Sequence, residues 1–226
     1  MTPEALVRLV AGCVLQYPGD RFHDELPRLR GALAGAPAEP AALLGAFLDH
    51  TETLGPVELC AEYTSTFDTR NRRCLYLTWW ADGDTRRRGL SLVRLKRIYR
   101  DFGLEFTGEE LPDFLPVALE FAALREEAGT ELLQEHRAGL ELLRLALTEY
   151  GSPYARVLEA VCTTLPGASP RTKAEAKALA RGGPPQELVG FGSPLEPFDP
   201  LEPRGPGVDV PVDLPWPATL PERQTA

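Results

Sequence analysis

The chain has 226 residues, and its 24 Lys and Arg against 33 Asp and Glu give a net charge of −9 at pH 7. A chain of this length is typical of one large domain and can bury a sizeable core. The negative charge disfavours a protein that binds nucleic-acid phosphates without sequence preference.

The charge is distributed unevenly along the chain. Between Arg70 and Arg100, ten basic residues stand against two acidic ones, a local charge of +8. The last 45 residues, from Gly182, contain 11 of the 22 prolines and have a local charge of −5, which leaves −12 on the remainder. A basic segment is therefore set into an acidic protein.

Apolar residues recur at helical spacing through most of the chain before Gly182. In the first part, helices are predicted to begin near Thr2-Pro3, Asp20, Pro40 and Gly55-Pro56 and to end near Tyr17, Leu33, Leu54 and Phe67. In the second part, they are predicted from Asp84-Thr85 to Phe102-Gly103, after Asp113, from Thr130 to Tyr150, from Tyr154 to Leu165 and from Thr172 to Arg181.

Runs of alternating β-branched residues are absent, so the sequence predicts an all-α, single globular multi-helix domain over residues 1–181. Residues 182–226 are predicted to form a Pro-rich, acidic, largely irregular tail, because prolines exclude a continuing helix. The chain start lacks the basic residues and unbroken apolar run of a signal peptide, and nothing approaches the ~20 apolar residues of a membrane span. A cytoplasmic location is expected.

The chemistry-bearing residues do not form a recognisable catalytic or metal-binding motif. The four cysteines contain no Cys-x-x-Cys pair, and the three histidines have no partner at ligand spacing. No nucleophile with a base and no Gly-rich phosphate loop is present. The sequence therefore predicts no metal, no permanently bound cofactor and no enzyme activity.

Two features of the basic segment are informative. Trp79 and Trp80 are adjacent, so a regular element turns them to different sides and at least one should reach the surface, unless Trp79 fills the core and Trp80 merely covers it. Arg86, Arg87 and Arg88 stand in the first turn of a predicted helix, where they oppose the helix dipole. They could pair with acids elsewhere in the body, contact a protein partner, or hold an anionic ligand.

The stretch from Tyr63 to Tyr99 resembles the family of nitrate reductase molybdenum cofactor assembly chaperones, also called the nitrate reductase delta subunit. The resemblance rests on Thr66-Phe67-Asp68, Arg72-Arg73, Leu75 to Trp80 and Gly83 to Gly89. A second block, Glu110 to Phe121, also looks like the family, and a looser likeness covers residues 3–181. Trp79-Trp80 replaces the more usual Tyr pair, and Phe114 stands where the wider group often has His.

The resemblance implies the all-helical fold of redox-enzyme maturation chaperones. It also implies a cytoplasmic protein that binds the N-terminal peptide of the nitrate reductase catalytic (α) subunit. Such a chaperone keeps that subunit open for insertion of the molybdenum bis-guanine-dinucleotide cofactor, and it is not part of the finished enzyme. Proteins of molybdenum cofactor biosynthesis are further expected partners.

An acidic body and an aromatic-lined groove suit a basic, partly apolar client peptide. The residues predicted to line the groove are Tyr63, Phe67, Tyr76, Trp79 and Trp80, with Asp113 and Glu120 as lesser candidates. Asp84, Arg86, Arg87 and Arg88 are signature residues that could contact a partner or an anion, including the phosphates of the cofactor. The alternative function is a nucleic-acid-binding regulator that uses the basic segment, residues 70–100.

Overall fold

The computed structural model describes residues 1–69, 73–105 and 110–182, with the side chains of the last three left out. Within these ranges the chain is helical, and its only extended pairing is an isolated antiparallel bridge between Tyr76 and Phe114. The helices are α1 Pro3–Val14, α2 Phe22–Leu33, α3 Ala38–Glu52, α4 Pro56–Phe67, α5 Leu77–Asp82, α6 Arg86–Asp101, α7 Leu115–Leu124, α8 Glu126–Glu135, α9 Arg137–Tyr150, α10 Tyr154–Thr163 and α11 Lys173–Gly182. The all-α prediction is confirmed, whereas the predicted tail lies outside the described residues from position 183 onwards.

Helix α1 forms the centre of the core. It begins after Thr2, as the sequence predicts. The Thr2 hydroxyl caps the helix by accepting a hydrogen bond from the Ala5 N–H over 3.2 Å. Helices α2, α3, α7 and α10 pack around it. Helix α7 lies close to α1 at Gly12, where a Cβ would lie 3.3 Å from the Pro116 carbonyl oxygen. The absence of a side chain at Gly12 therefore favours the close contact between α1 and α7.

The predicted helix ends agree with the structure at two glycines. Gly103 follows α6 with a φ of +74°, and Gly151 follows α9 with a φ of +77°. Both values lie in the left-handed region, which glycine adopts without steric strain. Pro27 does not end α2: it lies inside the helix, which continues to Leu33.

The predicted helix from Thr130 to Tyr150 is divided in the structure into α8 and α9. The two helices meet at His136, whose φ and ψ are −93° and 10°. The bend lets the two halves pack on different neighbours, because Gly129 of α8 lies against Ala122 of α7, while Gly139 of α9 lies against Trp80 of α5. The short helix α5 was not predicted at all, and α7 begins after Phe114 rather than after Asp113.

A buried charge network anchors the connection between α10 and α11 to α9. Glu141 is fully buried between Arg137 and Arg144, with Glu141 oxygens 3.3 Å from Arg137 Nη2 and 2.7 Å from Arg144 Nε. The two guanidinium groups also donate to backbone carbonyls of the connection, at Pro166, Gly167 and Pro170. The network thus adds polar anchors to the apolar contact that the connection makes through buried Leu165.

Candidate functional site

Two segments of the family signature meet in the bridge between Tyr76 and Phe114. The Leu77 N–H donates to the Asp113 carbonyl over 2.9 Å, and the Leu115 N–H donates to the Leu75 carbonyl over 2.7 Å. The second segment passes directly into α7, because Pro116 stands in the first turn, where a missing N–H is tolerated. The bridge therefore holds two aromatic residues from distant parts of the sequence side by side.

One arginine lies close to the rings of Tyr76 and Trp79. The ring centroids of Tyr76 and Phe114 are 5.6 Å apart, and both side chains are half-buried. The guanidinium carbon of Arg88 lies 5.4 Å from the centroid of Tyr76 and 5.9 Å from that of Trp79, within the range of cation–π attraction. We call Tyr76, Trp79, Arg88 and Phe114 the aromatic site.

The buried carboxylate of Asp113 holds Arg88 in place. Asp113 is 0% exposed, and its Oδ2 accepts hydrogen bonds from the Thr78 N–H at 3.3 Å, from the Thr78 hydroxyl, and from Arg88 Nη2 at 3.4 Å. Arg88 Nε also donates to the Thr78 hydroxyl oxygen over 3.2 Å. The other oxygen, Asp113 Oδ1, has no hydrogen-bond partner within the described part of the chain.

The edge of the aromatic site is acidic. The Tyr76 hydroxyl donates to Glu110 Oε2 over 3.3 Å, and Glu110 is exposed. Burial, together with the nearby Glu110 carboxylate, raises the pKa of Tyr76 to about 12. The phenol therefore keeps its proton at neutral pH and stays a hydrogen-bond donor.

Trp80 points away from Trp79 and supports the site from the core side. Its indole N–H donates to the Cys74 carbonyl over 3.3 Å, and its ring packs against the core. It fits only because position 139 is glycine, where a Cβ would lie 2.7 Å from Trp80 Cβ. The two tryptophans face different sides, as predicted. Trp80, and not Trp79, packs against the core, which is the reverse of the alternative considered above.

Tyr63 and Phe67 lie in the core rather than on the surface. Each is 5% exposed, their ring centroids are 4.9 Å apart, and the Tyr63 hydroxyl donates to the Leu15 carbonyl over 3.1 Å. Both rings also contact Tyr154, and burial raises the pKa of Tyr63. This corrects the expectation that the two residues line an accessible groove: α4 turns its aromatic stripe inward to fill the space beside α10.

The remaining predicted residues fall in different places. Glu120 is half-buried on α7, and burial raises its pKa. Asp84, Arg86 and Arg87 are exposed at the start of α6. Of the three roles considered for the arginines, Arg88 takes the internal one, since it pairs with Asp113.

Two other arginines of the basic segment also form contacts within the protein. Arg73 is 9% exposed and donates to the backbone carbonyls of Thr66 and Ser65 over 2.7 and 3.2 Å. Arg94 forms a bidentate pair with Glu135. These contacts weaken the alternative of a nucleic-acid-binding surface, which needs free cations.

The sequence did not predict a role for two residues at or beside the aromatic site, Phe114 and Thr78. Phe114 was noted only for the absence of a histidine, although the surrounding Leu-Pro-Asp-Phe-Leu-Pro is typical of an extended segment before a helix. Thr78 gave no signal, because its role depends on Asp113, which lies 35 residues away.

Searches of the described residues for other sites give two results. Within residues 1–69, 73–105 and 110–182, no group of three or more His, Cys, Asp or Glu side chains could hold a metal ion. In the same ranges, none of the helices combines the length and the apolar character that crossing a bilayer requires.

Comparison with curated proteins gives several relatives. A NarX nitrate reductase-like protein of Mycobacterium tuberculosis is 40% identical over 155 residues, which are 68% of this chain and 23% of NarX. A protein of Bacillus subtilis described as the nitrate reductase molybdenum cofactor assembly chaperone NarJ is 31% identical over 74% of this chain and 92% of its own length. The chaperone of that name from Escherichia coli is 32% identical over 65% of this chain and 64% of its own length.

Comparison with solved structures supports the fold. A protein of Archaeoglobus fulgidus described as a redox enzyme maturation protein matches 72% of this chain and 93% of its own, with a TM-score of 0.53 and 23% identity. The family profile described as nitrate reductase delta subunit matches residues 31–160, a range that contains both signature blocks. The predicted family is thereby confirmed: the chain belongs to the nitrate reductase delta subunit family.

Proposed function

We propose that this protein is a dedicated cytoplasmic chaperone of respiratory nitrate reductase. It binds the N-terminal peptide of the catalytic (α) subunit and keeps that subunit competent for insertion of the molybdenum bis-guanine-dinucleotide cofactor. It assists assembly of the membrane-bound complex without becoming part of it or holding the cofactor permanently. Proteins of molybdenum cofactor biosynthesis are proposed as further partners. The family and the names of the NarJ relatives support a chaperone role rather than a catalytic one.

The observation that carries this proposal is the aromatic site. Tyr76, Trp79 and Phe114 are half-buried aromatic residues inside the two signature blocks, and the backbone bridge holds two of them rigidly together. Rigid, partly wet aromatic rings give a large contact area at a small cost in side-chain entropy. Such a surface fits the apolar face of a short helical peptide.

The charges around the site favour a basic peptide. Arg88 is neutralised by Asp113, so the aromatic rings do not carry an isolated positive charge. The exposed Glu110 and the exposed Asp84 can accept hydrogen bonds from cationic side chains or peptide N–H groups, whereas the buried Asp113 holds Arg88 in place. Glu120, which is half-buried on α7, is proposed as a further acidic contact. A net charge of −9 adds long-range steering of a cationic ligand.

Calorimetry with a synthetic peptide from the N-terminus of the reductase α subunit tests the proposal. We expect the full chain to bind this peptide, with an affinity that falls as salt rises because exposed charges are screened. Trp79→Ala should weaken binding by about tenfold or more, as for a central aromatic residue of an interface.

The matched control is Tyr150→Ala, which also removes a partly exposed aromatic ring. Tyr150 is 49% exposed and ends α9, where its ring contacts the Arg73 guanidinium, whose carbon lies 3.8 Å from the ring centroid, and not a residue of the aromatic site. Its loss should leave the peptide affinity unchanged. If the folded protein gives no heat with the peptide, or if both variants bind it equally well, the aromatic site is not the client-binding surface.

A further inference from the structure

Helix α6 uses little of its surface to pack. Of its 16 residues, only Leu95 and Tyr99 are buried. On the opposite side, Leu90 and Val93 are 72% and 67% exposed, and their spacing of three residues places them on one face. Two aliphatic side chains thus stand together in solvent on a helix that is otherwise strongly basic.

Arginines continue this face in both directions. Arg86 lies four residues before Leu90, and Arg97 lies four residues after Val93, so each is one turn away on the same side of the helix. Arg86 makes no ion pair with the described part of the chain, and Arg97 pairs only with Asp101, over 3.7 Å at the surface. We call Arg86, Leu90, Val93 and Arg97 the α6 outer face.

The contacts within residues 1–69, 73–105 and 110–182 do not explain this arrangement. Arg86 and Arg87 stand in the first turn of α6, where the positive end of the helix dipole disfavours cations. Carboxylates brought close to this turn would be attracted by both the arginines and the dipole. Burial of Leu90 and Val93 by a partner would also be favourable, because apolar surface would leave water.

We propose that the α6 outer face binds an acidic, amphipathic helix of another protein. Two aliphatic side chains between two arginines match a helix that carries Leu-like residues between carboxylates one turn apart. The phosphate backbone of a nucleic acid would not bury the aliphatic pair, and the protein's net charge of −9 would repel it. This surface is separate from the aromatic site, where Arg88 points inward, and it goes beyond the proposed function.

Fluorescence anisotropy with a labelled acidic peptide tests this. The probe is a synthetic helix of about five turns with Leu residues on one face and Glu one turn before and one turn after them on that same face, and its control is a scrambled peptide of the same composition. We expect the full chain to bind the amphipathic peptide more tightly than the scrambled one. The double substitution Leu90→Ser and Val93→Ser should weaken binding by about tenfold, and Arg86→Glu should weaken it further.

Two controls make the result specific. Arg156→Glu reverses an exposed cation on α10 and should leave binding unchanged, and Trp79→Ala should do the same, which separates this surface from the aromatic site. The proposal is overturned if neither peptide binds, if the scrambled peptide or a DNA duplex of equal charge binds as tightly, or if Leu90→Ser and Val93→Ser have no effect. It is also overturned if light scattering shows that a second copy of the chain occupies the face and that the double substitution releases it.

Discussion

Gly129→Val is expected to destabilise the protein by about 3 kcal/mol or more, since it forces a side chain into a closed helix contact. A Cβ at position 129 would lie 2.1 Å from the Ala122 Cα and 2.6 Å from the Ala122 Cβ. The first of these atoms belongs to the backbone, so α8 and α7 must move apart. Because α7 also packs on α1, the displacement would reach the centre of the core. Urea denaturation followed by circular dichroism measures the change in the free energy of unfolding.

The matched control is Gly45→Ala in the middle of α3. A Cβ at this position meets nothing within 4 Å, so the substitution should stabilise the protein by about 0.5–1 kcal/mol through helix propensity alone. Equal free energies of unfolding for Gly129→Val and the unchanged protein would show that α7 and α8 are not packed as closely as described.

Glu141→Ala is expected to cost about 3–5 kcal/mol in the free energy of unfolding, because it leaves the buried Arg137 and the half-buried Arg144 without their carboxylate. The side chains of Arg137 and Arg144 are 5% and 14% exposed, and both pair with this one residue. Arg137 Nε already lacks a hydrogen-bond partner within the described part of the chain, so the network has no spare acceptor. We expect lower thermal stability and earlier proteolysis of the connection between α10 and α11.

Glu52→Ala provides the surface counterpart. Glu52 is 49% exposed and lies 3.0 Å from Arg30, which keeps Asp49 as a second partner. Its removal should change the free energy of unfolding by less than about 1 kcal/mol. A loss at Glu141 no larger than the loss at Glu52 would contradict the role given to the buried network.

The sequence predicted most of the helices because their apolar stripes are local. The starts and ends at Thr2, Gly103 and Gly151 depend on the hydrogen bonding and backbone freedom of single residues, which can be read directly. Helix α5 was missed because its six residues are too few to show a helical period. The bend at His136 was missed because the apolar spacing continues through it; the bend depends on where Gly129 and Gly139 find their partners.

The candidate site was predicted less completely, for a related reason. Tyr76, Trp79 and Arg88 were identified from the signature, and the structure brings them together. Tyr63 was included because it is aromatic and close in sequence, but its α4 stripe is buried. Asp113 was expected to cap a helix or face a ligand, whereas its carboxylate binds Thr78 and Arg88. Such pairings across 25 to 35 residues leave no periodic trace in a single sequence.

The most direct test of the proposed chaperone function is the molybdenum content of the nitrate reductase that is proposed as its client. The reductase would be purified from bacterial cells without any other assembly chaperone of this family, with and without the full chain. We expect molybdenum in the reductase made with the chain, little in the reductase made without it, and an intermediate content with Trp79→Ala. Equal molybdenum contents in all three preparations would contradict a role for this protein in cofactor insertion.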